Sequence, residues 1–194
     1  MLNKKSIYIF ILFLYSSLLI GFFFNEDTNG GARADFSSIT GNVEFFLDDF
    51  FESFFNYEKL NERHSPVLII IIAYLKKAGL TYDVIRFANL HLNLLVIFFF
   101  YNCLRIKFPK IEKKYLILIS SALFISTTIR SLSIWPDSRI VGLLFFTISL
   151  QYYLKFNVNK SFKNAILNTI YSVIAFYFSP NFSFFGLYFF FHYF

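Results

Sequence analysis

The sequence is poor in charge and has a single cysteine, and both shortages limit what the chain can be. Only 15% of its 194 residues are charged, against about 25% in ordinary soluble domains. The lone Cys103 excludes an internal disulfide, and no pattern of metal-binding cysteines accompanies it. Nucleic-acid binding is disfavoured as well, because the net charge of +6 comes from basic loops of the kind that set the topology of membrane proteins.

Apolar and aromatic side chains take the place of the missing charge. Hydrophobic residues make up 57% of the chain and aromatic residues 23%, with 31 Phe among them. A soluble domain of this size would have to expose large apolar patches, whereas a membrane protein buries them in lipid. Several runs approach the roughly 20 apolar residues that a helix needs to cross a bilayer. The sequence therefore predicts an all-α, polytopic transmembrane helix bundle that forms a single membrane domain over 1–194.

The first predicted span, 6–24, follows Lys4 and Lys5. It is longer than the roughly 7–15 apolar residues at the centre of a signal peptide. No small-residue cleavage site follows it, because three consecutive Phe at 22–24 occupy the positions concerned. We therefore expect a retained helix whose N-terminus lies in the cytoplasm.

Further spans are predicted within 84–194. The apolar runs lie at 84–104, 115–129, 140–154 and 165–178, and a last run begins at 182. Together with the first span, they predict about five to six crossings of the membrane. Because the sequence ends inside the last run, in "LYFFFHYF", we expect the chain to be the N-terminal part of a longer protein.

The predicted outer loop, 25–65, contains an amphipathic pattern. Its apolar positions at helical spacing are Val43, Phe46, Leu47, Phe50, Phe51 and Phe54, and the acidic positions on the opposite side are Glu44, Asp48, Asp49 and Glu52. This periodicity predicts a juxtamembrane helix with an acidic polar face. Such a helix either lies on the outer membrane surface and roofs a cavity, or forms the core of a small extracytoplasmic domain.

A short apolar segment, 66–78, follows this loop. Ser65 and Pro66 are predicted to be the N-cap and the first helical residue, the positions that these residue types favour. A run of only about 10–14 apolar residues favours a re-entrant or short helix over a complete crossing.

Positive charge predicts the orientation of the bundle. The loops 105–114 and 155–163 are strongly basic. If the segment 66–78 does not cross the membrane, both basic loops and the N-terminus lie in the cytoplasm, as the positive-inside rule favours. The polar residues that then share the outer face are Asp35, His64, Asp137 and Asn181.

Side chains that could do chemistry collect in these predicted outer loops. The candidate catalytic carboxylates are Asp35, Glu26 and Asp27. The candidate substrate- and phosphate-binding residues are Arg63, His64, Arg130, Asp137, Arg139 and Asn181. The first two of these precede a predicted helix N-terminus, whose free N–H groups and positive dipole end attract anions.

Structural roles compete with each of these assignments. The loop carboxylates could simply be solvated, and Arg130 and Arg139 could be snorkelling ends of spans. Trp135 could be an interfacial anchor, its usual role at this depth. His91 and Asn93 lie inside a predicted span, where polar side chains tend to bond between helices.

Three stretches carry a resemblance to a known family. They are "RHSPVLIIII" at 63–72, "YDVIRFANLHLNLLVIFFFYNCLRIKF" at 82–108 and "IRSLSIWPDSRIVGLLFF" at 129–146. In their order along the chain they resemble the GT-C glycosyltransferases of the protein mannosyltransferase and aminoarabinose-transferase type. The resemblance implies transfer of a sugar from a polyprenyl-phosphate donor to a lipid, glycan or protein acceptor. It places the protein among the membrane lipids of the bacterial inner membrane, with its active site on the outer face.

The resemblance also implies roles for particular residues. An Asp in the first outer loop acts as catalytic base, and a basic side chain before a later proline holds the carrier phosphate; Asp35 and His64 match these positions. Many members have an Asp-Glu pair at the base position, whereas here Phe36 follows Asp35. The pair Glu26-Asp27 therefore stays open as the alternative base. No cofactor and no metal are implied, since cationic side chains can balance the leaving phosphate.

Two other functions compete with glycosyl transfer. A transporter or flippase of lipid-linked solutes would also need a membrane cavity with arginines, but it would more often have broken helices at mid-membrane and an inverted repeat. A non-catalytic membrane subunit would use the same features for packing alone.

Overall fold

The structure is a computed structural model that describes residues 4–28, 30–60 and 65–193, and within these ranges the chain is all-helical and has no strand. The α-helices are α1 (Lys4–Phe23), α2 (Ala32–Asp48), α3 (Phe50–Phe55), α4 (Val67–Lys77), α5 (Tyr82–Lys107), α6 (Lys113–Ser121), α7 (Thr127–Ile134), α8 (Ser138–Asn159), α9 (Phe162–Phe178) and α10 (Ser183–Tyr193). Single 3-10 turns lie at Tyr57–Leu60, Ala122–Ile125 and Pro180–Phe182. The all-α prediction is confirmed.

Two of the described helices, α1 and α5, are long and apolar enough to cross a membrane. A third crossing exists if α6, the 3-10 turn after it and α7 together count as one bent span. The positions of α1 and α5 agree with the predicted spans 6–24 and 84–104. The lengths and compositions of these two helices are therefore consistent with a membrane protein.

The later helices pack around α8. The two helices α5 and α8 run in the same direction, since Arg86 lies beside Ile134, just before α8, and Cys103 lies beside Thr147 farther along it. The next helix, α9, returns antiparallel to α8. Hydroxyl groups of these two helices meet in the buried contact between Ser149 Oγ and Ser172 Oγ, at 2.6 Å.

This arrangement gives the bundle two chemically different ends. The acidic end comprises the end of α1, the helices α2 to α4, and the beginnings of α5 and α8. The basic end carries the loops 105–114 and 155–163. Because α5 and α8 both begin at the acidic end, the loops that follow them both lie at the basic end.

The predicted amphipathic helix is divided into two helices, α2 and α3. It breaks at Asp49, whose backbone is extended and whose side chain accepts a hydrogen bond from Glu52 N at 2.9 Å. Asp is a strong N-cap, so it starts α3 instead of continuing α2. Of the residues predicted to share one apolar face, Val43 and Phe46 of α2 are buried, whereas Phe51 of α3 is 70% exposed. The prediction of a single apolar face through 54 was therefore wrong.

The short segment 66–78 forms α4, which packs on α2 through buried residues such as Ile69 and Ile72. Eleven residues rise about 16 Å, roughly half of the hydrocarbon thickness. The predicted cap was wrong: the N-cap position is Pro66, and Ser65 Oγ is buried without a hydrogen-bond partner. The Pro66 carbonyl still accepts the first helical bond, from Ile70 N.

The predicted span 115–129 is not one continuous helix. It breaks at Ser126, and the two parts meet at 68°. Before the break, Ser120 and Ser121 hydroxyls bond back to Ile117 O, a local contact that competes with regular helical bonding and often bends a helix. At the break, Ser126 accepts a bond from Ile129 N and caps α7.

Inside α5, the two polar residues behave differently. His91 Nε2 lies 2.9 Å from Tyr15 OH of α1, which confirms the prediction of a bond between helices. Asn93 is fully buried, but neither atom of its amide group has a hydrogen-bond partner, so the same prediction was wrong there.

Candidate functional site

The acidic end begins where α1 ends in a tight turn. Asn25 adopts a left-handed backbone conformation, with φ of 54°, and Glu26 N donates to Gly21 O at 2.8 Å. Left-handed Asn is a common way to end a helix. The turn folds the Glu26 side chain back over Gly21, where a Cβ would collide with the carboxylate. A larger residue at that position would therefore force the Glu26 carboxylate to move.

Glu26 is bound to Arg130 of α7 by two parallel hydrogen bonds. Arg130 Nε donates to Oε1 at 2.7 Å, and Nη2 donates to Oε2 at 2.5 Å. The guanidinium also donates to Ser17 O at 3.2 Å. The two charged side chains are 18% and 13% exposed, and such bidentate pairs are among the strongest polar contacts in proteins.

This contact keeps Glu26 ionised. The hydrogen bonds from Arg130 hold the pKa of the Glu26 carboxyl below its ordinary value, although burial opposes the shift. Both oxygens of the carboxylate are occupied by the guanidinium. Glu26 is therefore poorly suited to act as a base, and Arg130 is poorly suited to bind a phosphate.

Asp27 caps the next helix. Its carboxylate accepts hydrogen bonds from Ala32 N at 3.2 Å and from Arg33 N at 3.3 Å. A negative charge at this end of α2 also interacts favourably with the helix dipole. The geometry therefore gives Asp27 a structural role in starting α2.

The third predicted carboxylate, Asp35, meets two other predicted site residues. Asp137 caps α8 by accepting from Arg139 N at 2.7 Å, and Arg139 Nη2 donates to Asp137 Oδ2 at 2.6 Å. The same nitrogen donates to Asp35 Oδ2 at 2.5 Å, so it joins α2 to α8. The structure thus brings Asp35, Asp137 and Arg139 together as one triad.

The members of this triad differ in exposure. The side chain of Asp137 is 4% exposed, whereas that of Asp35 is 52% exposed. In the part of the chain that the structure describes, only Oδ2 of Asp35 is bonded. Because two carboxylates share one guanidinium, the triad carries a net negative charge. Its exposed member, Asp35, faces solvent.

A buried cation–aromatic stack lies beside the triad, and sequence reasoning did not find it. Arg86 of α5 is 7% exposed, and its guanidinium carbon lies 3.7 Å from the centre of the Trp135 ring. Arg86 donates to Asn25 Oδ1 at 2.7 Å, and Trp135 Nε1 donates to Glu26 O at 3.0 Å. The stack thus holds the turn after α1 against the segment before α8. The sequence did contain a signal for this contact: Arg86 lies near the start of an apolar span, and a charged side chain there needs a partner.

One alternative expected Trp135 to be an interfacial anchor, and the structure contradicts it. It is 6% exposed and lies among protein side chains. The snorkelling alternative for Arg130 and Arg139 was also wrong, since both guanidinium groups are paired with carboxylates of the protein.

Asn181, another predicted site residue, does not join these contacts. Asn181 is exposed in the 3-10 turn Pro180–Phe182, which packs on α8 through the stacked rings of Phe182 and Phe146. Arg63 and His64 lie outside the described residues, so their role at a phosphate stays a prediction.

The candidate site consists of acidic and basic side chains. In the described ranges, no three His, Cys, Asp or Glu side chains are placed so that they could hold a metal ion. No protein-family model, curated protein or solved structure matches this chain.

Proposed function

We propose that the chain is a membrane glycosyltransferase of the GT-C type. It moves a sugar from a polyprenyl-phosphate donor to a lipid, glycan or protein acceptor at the acidic end, with inversion and with Asp35 as the base. The contact between the exposed Asp35 carboxylate and Arg139, beside buried Asp137, is the observation that carries this proposal.

The geometry favours Asp35 among the three candidate carboxylates. Glu26 is occupied by Arg130, and Asp27 is occupied by two backbone N–H groups. Asp35 lies on the solvent side of α2, where an acceptor hydroxyl can reach it. A base must come within hydrogen-bond reach of the proton that it removes.

The proposed step needs one base and one cation. The acceptor hydroxyl gives its proton to Asp35, and its oxygen bonds to the anomeric carbon. The bond from that carbon to the phosphate oxygen breaks, and the phosphate leaves with the electron pair. Arg139 turns from Asp35 toward the phosphate, which frees Asp35 and balances the leaving charge. Arg63 and His64 bind the carrier phosphate as well in this proposal, whereas Arg130 stays with Glu26.

The proposal includes an arrangement in the membrane. The chain forms five to six spans, to which α8, α9 and α10 contribute beside α1, α5 and the bent pair. The N-terminus and the basic end lie in the cytoplasm, in agreement with the positive-inside rule. The acidic end lies on the outer face of a bacterial inner membrane.

A transporter of lipid-linked solutes is the second candidate, and one observation favours it. The bent pair of α6 and α7 resembles the discontinuous helices that line the binding sites of many transporters. Arg130 lies on the second half of that pair. In this case the acidic end would gate a pathway instead of catalysing transfer.

Transfer of labelled sugar separates the two candidates. Membranes that contain the protein are supplied with radiolabelled polyprenyl-phosphate sugars, and Asp35→Asn is compared with Asp48→Asn. Asp48 is an exposed carboxylate on the same helix, so it controls for the loss of one surface charge. We expect Asp35→Asn to lower transfer by about 10²- to 10⁴-fold, the usual contribution of a general base.

The outcomes have distinct meanings. Loss of transfer in Asp35→Asn alone supports the proposed base. Loss only in the double change Glu26→Gln and Asp27→Asn, with the fold intact, would mean that the reaction is right and the base wrong. If the folded protein transfers no sugar from any carrier, the enzyme proposal fails in favour of transport or a non-catalytic membrane role.

A further inference from the structure

An apolar groove runs along the outside of the bundle between α1, α5 and α6. Its volume is about 450 Å³. The helices α1 and α5, which form its two long walls, are those with the length and composition of membrane spans. The groove therefore lies at the depth of the hydrocarbon layer, where its contents are lipid-like.

The lining of the groove runs from Tyr15 to Tyr8 along α1. At the first of these ends, Tyr15 OH lies 2.9 Å from His91 Nε2 of α5. At the other end, Tyr8 of α1 and Tyr101 of α5 line the groove. From Tyr15 to Tyr8 the helix rises about 10 Å, so the groove extends from near the middle of α1 toward the basic end.

The end of the groove at Tyr8 and Tyr101 is positively charged. The Arg105 guanidinium carbon lies 5.7 Å from the centre of the Tyr101 ring, one turn beyond the groove along α5. Arg105 and Lys107 are both exposed, and no carboxylate of the described chain pairs with either. Tyrosines with nearby cations are typical of the level at which lipid headgroups lie.

We propose that this groove binds one anionic phospholipid of the leaflet at the basic end. One hydrocarbon chain lies in the groove between Leu94 and Ile97 of α5 and the facing side of α1, with its end against the Tyr15–His91 bond. The headgroup phosphate contacts Arg105. The apolar walls of the groove favour the hydrocarbon chain of the lipid, and Arg105, which has no carboxylate partner in the described chain, favours a negative headgroup. This site is independent of Asp35 and of the proposed transfer reaction.

Native mass spectrometry of the detergent-purified protein tests this site. The probes are phosphatidylglycerol and phosphatidylcholine with identical chains. We expect one phosphatidylglycerol to remain bound after mild activation and phosphatidylcholine to be lost. Arg105→Gln should reduce retention of phosphatidylglycerol by about fivefold, the share of one cation near a lipid surface. The matched control Lys163→Gln removes another exposed cation of the basic end and should have no effect.

A second pair of variants tests the groove itself. Ile97→Trp fills the groove and should abolish retention. Leu95→Trp adds the same ring at a neighbouring position that is 45% exposed and outside the groove, and it should leave retention unchanged. Equal retention of the two lipids, or equal losses in the two tryptophan variants, would overturn the proposal. If Ile97→Trp does not fold, the comparison of Arg105→Gln with Lys163→Gln decides.

Discussion

Glu26 and Arg130 are charged side chains that have exchanged most of their contact with water for contact with each other. Removing a charged side chain from water costs several kcal/mol by general estimates, and only a well-formed pair with further hydrogen bonds offsets that cost. Ser17 O, Ser17 Oγ and Phe124 O accept the three remaining guanidinium hydrogens. The pair therefore ties the end of α1 to α7.

Glu26→Gln should destabilise the protein by about 2 kcal/mol, the usual contribution of a hydrogen bond to a charged group. Because the pKa of Glu26 is lowered from 4.5 by folding, its contribution is complete above that pH and is lost as the pH falls further, through the folded-state pKa. Thermal unfolding in detergent between pH 3 and 7 measures this difference. The exposed Glu58→Gln is the control. A variant with the same acid sensitivity as the wild type would contradict the assignment.

Trp135 is the only tryptophan of the chain, so its fluorescence reports on the stack directly. Arg86→Gln removes the guanidinium 3.7 Å from the ring and should shift the emission to longer wavelength and increase quenching by acrylamide. Arg33→Gln removes an exposed guanidinium 5.5 Å from the same ring and should have a smaller effect. Equal shifts in the two variants would show that Arg86 does not shield the ring.

Some residues of the candidate site could be predicted from the sequence, because charged side chains are rare in this apolar chain. Asp35, Asp137 and Arg139 were chosen in this way, and they meet in one triad. The separate roles of Glu26 and Asp27 could not be predicted, because they depend on which donors the turn after α1 brings within reach. The partner of Arg86 was equally hidden, since Trp135 is distant in sequence.

Two glycines show how close approach fixes the position of one element against another. A Cβ on Gly142 of α8 would lie 2.9 Å from Phe182 Cε2 and 3.0 Å from Ser179 Cβ, whereas a Cβ on Gly41 of α2 would meet nothing within 4 Å. Gly142→Ala should therefore cost about 1–3 kcal/mol by overpacking. Gly41→Ala should gain about 0.5–1 kcal/mol, because alanine loses less conformational freedom in a helix. Opposite shifts in the thermal unfolding temperature are expected, and shifts of the same sign would contradict the packing described at Gly142.

Elements could be predicted where a long apolar run left only one choice. The helices α1 and α5 are of this kind, and both agree with the predicted spans. The breaks at Asp49 and Ser126 could not be predicted from periodicity, because an apolar repeat continues across each of them. Each break is set by its own capping side chain, Asp49 or Ser126, and the effect of such a cap depends on the local backbone.

The orientation of the whole molecule can be tested with introduced cysteines. The native Cys103 is 3% exposed, so it should give little background. We expect Ser38→Cys at the acidic end to react with a membrane-impermeant maleimide in intact cells. Lys110→Cys at the basic end should react only after permeabilisation. The reverse pattern would place the acidic end in the cytoplasm and would exclude the proposed outer active site.

The link between Glu26 and Arg130 also has a consequence for biogenesis. The two residues are 104 positions apart. A ribosome that adds roughly 5–20 residues per second needs about 5–20 s to reach Arg130 after Glu26. During that interval α1 is already made, while the guanidinium that will hold its end does not yet exist. The acidic end is thus assembled late in translation, after α1 and α5 have both been synthesised.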